Sequence, residues 1–344
     1  MKTKIAISTL RTVCMQLLKN SGVPVQQAEI ITESILYAHR IGRDTHGLSR
    51  LPIYLNKISS GFMSPITRDT FIKDSTGIAL IDANNGFGQV AAYIAMSHCV
   101  EKAERLGIAA VGVRNSNNLG AAGFIVEQAV KRHQIGIVVC NTSPAITPPG
   151  GVLPLLGTNP LALAFPNPDG DYPIVLDMAC SVVSRGNVRQ AAKDNQKIPL
   201  HWALDHLGVP TDEPGIALKG SMAPIGNHKG YGLALVIDVL AGLLTGAAFG
   251  GEARPLSDMA SYSNYGHLCI SISTDHFMAR ELWSSKVLNL ISNVFECGDT
   301  QKIRIPGQRS SDIARENIKY IYLQESIINE IDSYATSNSI NISW

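Results

Sequence analysis

The residues best equipped for chemistry first gather in RIGRDTHGLSRLPIYL, residues 40–55, where His46 and Arg50 stand four apart. On an α-helix that spacing places two side chains on one face. A titratable imidazole and a fixed guanidinium would then meet one small anion. A solvated helix start has the same spacing, so the pair gains meaning only from the elements around it.

Those elements begin with an apolar stripe at Ile30, Ile31, Ile35 and Ala38, which Gly42 would close as a helix C-cap. Asp44 or Thr45 would cap the next helix, whose apolar positions are Leu48, Leu51, Ile53, Leu55 and Ile58. The first 60 residues read as helices over 8–19, 24–41 and 46–60. Strands then alternate with helices: strands 77–83, 108–115, 135–141, 161–167, 172–179 and 267–273, and helices 90–107, 120–134, 181–195, 230–245 and 276–295. Residues 310–334 read as a closing helix, and 196–228, rich in Pro, Gly and Asp, as a long connection. This alternation is an α/β signature.

Composition narrows the function classes. The 344 residues carry 45% hydrophobic and 17% charged side chains with a net charge of +1, which describes a well-packed globular chain. With no dense Lys/Arg run, neither nucleic acid nor a membrane surface is an expected partner; a small molecule is. The six cysteines stand singly, with no metal-ligand spacing, and read as free thiols of a reducing compartment. Arg11 interrupts any signal-peptide core, and Asp238 with several glycines interrupts the most apolar run, so a cytoplasmic location is expected.

No Gly-x-Gly-x-x-Gly fingerprint, P-loop, zinc motif or nucleophile elbow is present. Instead five Gly/Pro/Asn-rich loops separate the elements: RNSNNLGAAG, NTSPAITPPGG, LLGTNP, LDMACSVVSRGN and GNHKGYG. Such loops expose backbone N–H groups, and Lys229 at a helix mouth could hold a phosphate or carboxylate. Taken together they favour a site for a polar ligand.

The ordered set DTHGLSRLPIY, GFGQVAA, NSNNLGAAGF, PPGG, LGTNPLALAFP, VLDMACSVVSRGN, IPLHWALDHLGVPTDEP, HKGYGLAL and DVLAGLLTGAAFG resembles the type-2 malate/L-lactate dehydrogenase family over about residues 5–310. That family also holds ureidoglycolate and sulfolactate dehydrogenases, diketogulonate reductases and cyclic-imine reductases. The resemblance implies an α/β, non-Rossmann, mixed-sheet fold and an NAD- or NADP-dependent enzyme that is a homodimer or larger homo-oligomer. It implies a small carboxylate substrate, with interconversion of a 2-oxo and a 2-hydroxy acid. By the same resemblance His46 is the acid/base, Arg50 the carboxylate anchor, and Thr45 a hydroxyl near the reacting centre. Asn118, Thr158 and Asn187 would meet substrate. Ser116, Asn118, Leu119, Gly120, Thr158, Asn159, Asp177, Met178, Ala179, His228, Lys229 and Gly230 would line the cofactor, with Pro306 and Gly307 at its far end.

The elementary chemistry agrees: reduction of a 2-oxo acid needs a hydride donor, a proton donor near neutrality and a carboxylate anchor. Three positions depart from the family pattern. Asn118 stands where many relatives carry a histidine that some branches use as proton carrier or nicotinamide contact. Asn187 stands where relatives often have Lys, or Asp in the imine reductases, and Asn227 where they usually have glycine. A cyclic-imine reductase, or a cofactor-binding protein without turnover, are the alternative readings. His39, His98 and His133 are expected to be solvated or capping; His201 and His206 have no partner spacing, and His276 stays unassigned. The expected organisation is a helical segment over 1–75, an α/β core over 76–300, and a C-terminal return over 301–344 that packs on the first part.

Overall fold

The computed structural model describes residues 2–168 and 172–344. Strand β1 (Lys2–Ala6) runs into helices α1 (Ile7–Asn20) and α2 (Val25–Arg40). Two 3-10 turns, Asp44–His46 and Leu48–Arg50, lead to α3 (Leu51–Ser59), which has Pro52 in its first turn, where no N–H is missed. Next come β2 (Thr70–Asp74), β3 (Ile78–Asp82), α4 (Gly88–Leu106), β4 (Ile108–Ser116), α5 (Ala122–Val130), β5 (Gln134–Cys140), β6 (Leu161–Phe165), β7 (Ile174–Met178) and α6 (Arg185–Lys193). The connection at 196–228 holds the short β8 (Ala203–Leu204), the single turn α7 (Pro214–Ala217) and β9 (Ser221–Met222). Helix α8 (His228–Ile237) widens into a π-helical turn over Asp238–Leu243. The chain closes through β10 (Tyr265–Ser273), α9 (Arg280–Glu296), α10 (Gln308–Glu316), β11 (Tyr320–Gln324) and α11 (Glu325–Ser337).

Seven strands form one sheet in the order β2-β3-β4-β10-β5-β6-β7. Strands β3 and β4 are parallel, and the other neighbours in this sheet are antiparallel. Strand β10, late in sequence, is inserted at the centre between β4 and β5. This is the mixed, non-Rossmann α/β sheet that the resemblance implies.

Helix α4 lies on the sheet through small side chains (Ala91, Ala92, Ala95), which let it approach Val111, Val113 and Cys269 closely. Helix α5 comes nearer still, because a Cβ at Gly136 would stand 2.7 Å from the Val126 carbonyl. A second core joins α1, α2 and α3 to the C-terminal residues Ile321, Leu323, Ile331 and Ala335.

Several elements differ from expectation. The segment taken as all-helical opens with β1, which pairs antiparallel with β11 from Lys2↔Gln324 to Ala6↔Tyr320. Strand β11 interrupts the expected closing helix: YIYLQ buries Ile321 and Leu323 and exposes Tyr320 and Tyr322, the period of a strand. Strand β2 lies in a stretch with no assigned element. The expected helix 46–60 is α-helical only from Leu51.

Candidate active site

The loop that carries His46 is fixed from both ends. Helix α2 stops in a paired C-terminal motif: Gly42 N donates to His39 O at 3.0 Å and Arg43 N to Ala38 O at 2.7 Å, with Gly42 at φ +74°. His39, expected to be solvated or capping, is 1% exposed. Its Nε2 accepts the Leu48 backbone N–H at 2.7 Å, and its Nδ1 lies 3.1 Å from Asp44 Oδ1. A backbone N–H only donates, so the ring proton sits on Nδ1 and is given to Asp44. The ring also explains the glycine of the THG motif: a Cβ on Gly47 would stand 2.3 Å from His39 Nε2. Gly47 is needed there for space, since its φ of −89° is open to any residue.

His46 and Arg50 therefore do not share one α-helical face. Each ends a separate 3-10 turn, and the extended Gly47 lies between them. They are brought together differently. Arg50 Nε donates to the Thr45 carbonyl at 2.6 Å, and Thr45 Oγ1 lies 3.2 Å from His46 Nδ1. His46 is half-buried on a cavity wall. Burial first, then the positive charges of Arg50 and Arg43, lower its pKa from the ordinary 6.5 to about 3. Burial and both guanidiniums therefore favour the neutral imidazole.

That cavity, about 710 Å³, brings together Thr45, His46, Asn118, Leu119, Gly120, Thr158, Asp177, Met178, Ala179 and Asn187. Asn187 sits in the first turn of α6, which Ser184 caps by accepting the Asn187 N–H at 3.2 Å. A second cavity of about 870 Å³ adjoins the first, sharing Arg43 and Asp177; Pro306 and Gly307 line it beside the rings of Tyr37, Tyr93 and Phe124. At the junction, Asp177 Oδ2 accepts the Gly123 N–H at 2.9 Å, while burial raises its carboxyl pKa against that bond and the charge of Arg43. Tyr37 donates to Glu127 Oε1 at 2.6 Å on the second cavity's wall.

Other expected site residues lie elsewhere. Ser116 is fully buried, with its Oγ 2.8 Å from His267 Nε2. Asn159 is buried too; it accepts the Thr142 N–H at 3.0 Å and donates to Ala234 O at 2.8 Å. Arg50, His228, Lys229 and Gly230 are not among the residues lining either cavity. Gly230 permits close packing, since a Cβ there would stand 2.5 Å from Ile225 N, and His228 and Lys229 are exposed at the start of α8. Sequence reasoning overlooked Arg43, although it lies within the quoted stretch, and also Tyr37, Glu127, Tyr54 and Gln89. Only their tertiary neighbours mark these residues out.

Two adjoining chambers with a shared polar waist and aromatic rings in one of them fit an extended dinucleotide. The cations around His46 fit a small anion. The chain belongs to the malate/L-lactate dehydrogenase family, which matches residues 5–332. It is 34% identical over 335 residues to the malate/(S)-sulfolactate dehydrogenase of Methanothermus fervidus, covering 97% of this chain and 98% of that one. It is 33% identical to the ureidoglycolate dehydrogenase (NAD(+)) of Escherichia coli K12, covering 98% and 96%. The solved sulfolactate dehydrogenase of Methanocaldococcus jannaschii superposes with a TM-score of 0.91 at 31% identity, covering 98% of each chain. Relatives are named for NAD(+) or for NADP(+). The protein is an NAD(P)-dependent 2-hydroxy acid dehydrogenase, and no described helix is long and apolar enough to cross a membrane.

Proposed function

We propose that the protein interconverts a small, malate-like 2-hydroxy acid and its 2-oxo acid, with His46 as the proton carrier and Arg50 as the carboxylate anchor. The observation that carries this reading is His46 on the cavity wall, tied through Thr45 to Arg50, whose Nε donates to the Thr45 carbonyl at 2.6 Å. In the oxidative direction a neutral imidazole accepts the hydroxyl proton as it stands. In the reductive direction, a substrate carboxylate at the guanidiniums offsets the part of this lowering that comes from their charge, which favours protonation of the ring. Thr45 orients the ring through Nδ1, leaving Nε2 for the substrate. When bound, the reduced nicotinamide supplies the hydride. Asp177 and Arg43, at the junction of the two chambers, would hold the middle of that cofactor, and the Pro306–Gly307 wall its far end.

Arg189 on α6 lies within electrostatic reach of Arg50. Two neighbouring guanidiniums favour a substrate with a second acidic group over a lactate-like one. NADH and NADPH oxidation with oxaloacetate, sulfopyruvate, pyruvate and a cyclic imino acid tests the reading. Turnover is expected to be fastest with a dianionic oxo acid; activity confined to the imine would overturn it.

A homodimer is part of this reading. Leu235, Val236, Val239, Leu243 and Leu244 leave an exposed apolar stripe along α8 and the π turn, with Leu244 63% exposed. A second copy would cover that stripe, and sedimentation of the purified protein as a monomer would remove the claim. Five of the six cysteines are buried free thiols, which fits a reducing, cytoplasmic setting.

A further inference from the structure

Asn118 lines the same cavity as His46, and its surroundings fix which of its two polar atoms the cavity receives. Of residues 116–120 only Asn118 is half-exposed; its neighbours are buried. Its Oδ1 accepts the Gly120 backbone N–H at 3.0 Å, and the Tyr54 hydroxyl stands 3.4 Å from the same oxygen. Gln89 Nε2 in turn donates to Tyr54 Oη at 2.8 Å. Because a backbone N–H can only donate, the carboxamide cannot be the other way round. The backbone beneath it is held as firmly. Asn117 Nδ2 donates to the carbonyls of Asn85 and Gly86, both at 2.9 Å. A Cβ on Gly88 would stand 2.1 Å from Asn117 O, so the start of α4 presses directly on this peptide. Gly120 turns the chain at φ +75°. The remaining group, the Nδ2 amide, has no partner among the described residues, and Asn118 lines the same cavity as His46.

We infer that Asn118 is an oriented hydrogen-bond donor whose Nδ2–H binds the reacting oxygen of the 2-oxo acid. The inference rests on the proposed reaction. During reduction the carbonyl carbon receives the hydride and the oxygen gathers negative charge until His46 delivers its proton. A preorganised N–H at that oxygen stabilises the charge as it develops. An amide does not ionise near neutrality, so this donor works across the pH range in which a histidine at the same place would titrate.

Two variants separate this role from a purely structural one. Asn118→Asp keeps an oxygen for the Gly120 N–H, so the turn survives, but it replaces the donor with a second acceptor. Asn118→Leu removes the donor without adding charge. Both are expected to lower kcat for oxo acid reduction by about 10²-fold, the usual consequence of removing one such donor. A second measurement needs no turnover: the infrared carbonyl stretch of a ¹³C-labelled 2-oxo acid bound with oxidised cofactor. It is expected at lower frequency in the wild type than in Asn118→Leu, because the N–H polarises the bond. An unshifted stretch, or kcat within about threefold of wild type in Asn118→Asp, would overturn the inference while the proposed reaction stands. A wild type that binds the oxo acid and oxidises neither NADH nor NADPH would overturn the proposed reaction, and this inference with it.

Discussion

Two loops of this molecule meet helix ends near the expected cleft, and they are built in opposite ways. In residues 41–50 each strained or crowded position is occupied by the residue that relieves it. Gly42 takes the left-handed φ, Gly47 makes room for the His39 ring, and that ring satisfies the Leu48 N–H. In residues 225–230 the position that leads into α8 is Asn227, at φ +60° and ψ −111°, a conformation suited to glycine. Its side chain makes no capping bond to α8. The loop that places the proposed proton carrier is over-determined, whereas the loop ahead of Lys229 carries unrelieved strain. The difference teaches where precision is demanded: a proton transfer tolerates little displacement, while a point charge such as a lysine acts over several ångströms.

The comparison can be broken most forcefully at Gly47. Gly47→Ala drives a methyl into the His39 ring, whose escape would break its bonds to Leu48 and Asp44. A loss of about 2–4 kcal/mol in denaturant unfolding is expected, with activity reduced by more than about 10²-fold. His39→Ala removes the ring instead and leaves the Leu48 N–H unpaired. It is expected to lower kcat by about 10–100-fold with KM nearly unchanged, and His39→Gln, which can accept that N–H, should recover part of the loss. If KM moved and kcat did not, the ring would not be positioning the chemistry.

Acid stability sharpens the comparison next. His46 in the folded protein is protonated only near pH 3, against 6.5 ordinarily. Between those values the unfolded chain binds a proton that the fold refuses, so stability is full above pH 6.5 and falls as pH drops toward 3. His46→Gln should make this slope shallower by at most about 1.4 kcal/mol per pH unit. An unchanged slope would mean that the ring is not held neutral. The smallest effect is expected at the other loop, with opposite sign: Asn227→Gly should stabilise the protein by about 1 kcal/mol, read as a higher denaturant midpoint. A destabilised variant would show that the Asn227 side chain makes a contribution exceeding its strain.

How much of this was legible in the sequence depended on the range of the determining interactions. The helices α1, α2 and α4, and the strands β3 to β7, follow from local period, and the Gly42 stop follows from turn chemistry. The pairing of β1 with β11 joins residues more than three hundred positions apart, so no local pattern announced it. The alternation in YIYLQ was readable but lost beside two helical neighbours. His46 was legible as a chemical group, while its geometry was not, because Gly47 breaks the helix on which the i, i+4 argument relied. Asn118 was visible as a departure, yet the direction of its amide depends on the Gly120 N–H and on Tyr54, sixty-four residues away. His39 was misjudged because a histidine on an amphipathic helix is ordinarily solvated; here the following loop folds back over it.

The central claim is that His46 carries the proton. Its most direct test is kcat/KM for oxo acid reduction by His46→Gln at pH 7, measured alongside cofactor affinity. The account predicts a fall of about 10²–10⁴-fold with the cofactor Kd essentially unchanged. A variant within about threefold of wild type would contradict it and move the proton to another group in the cavity.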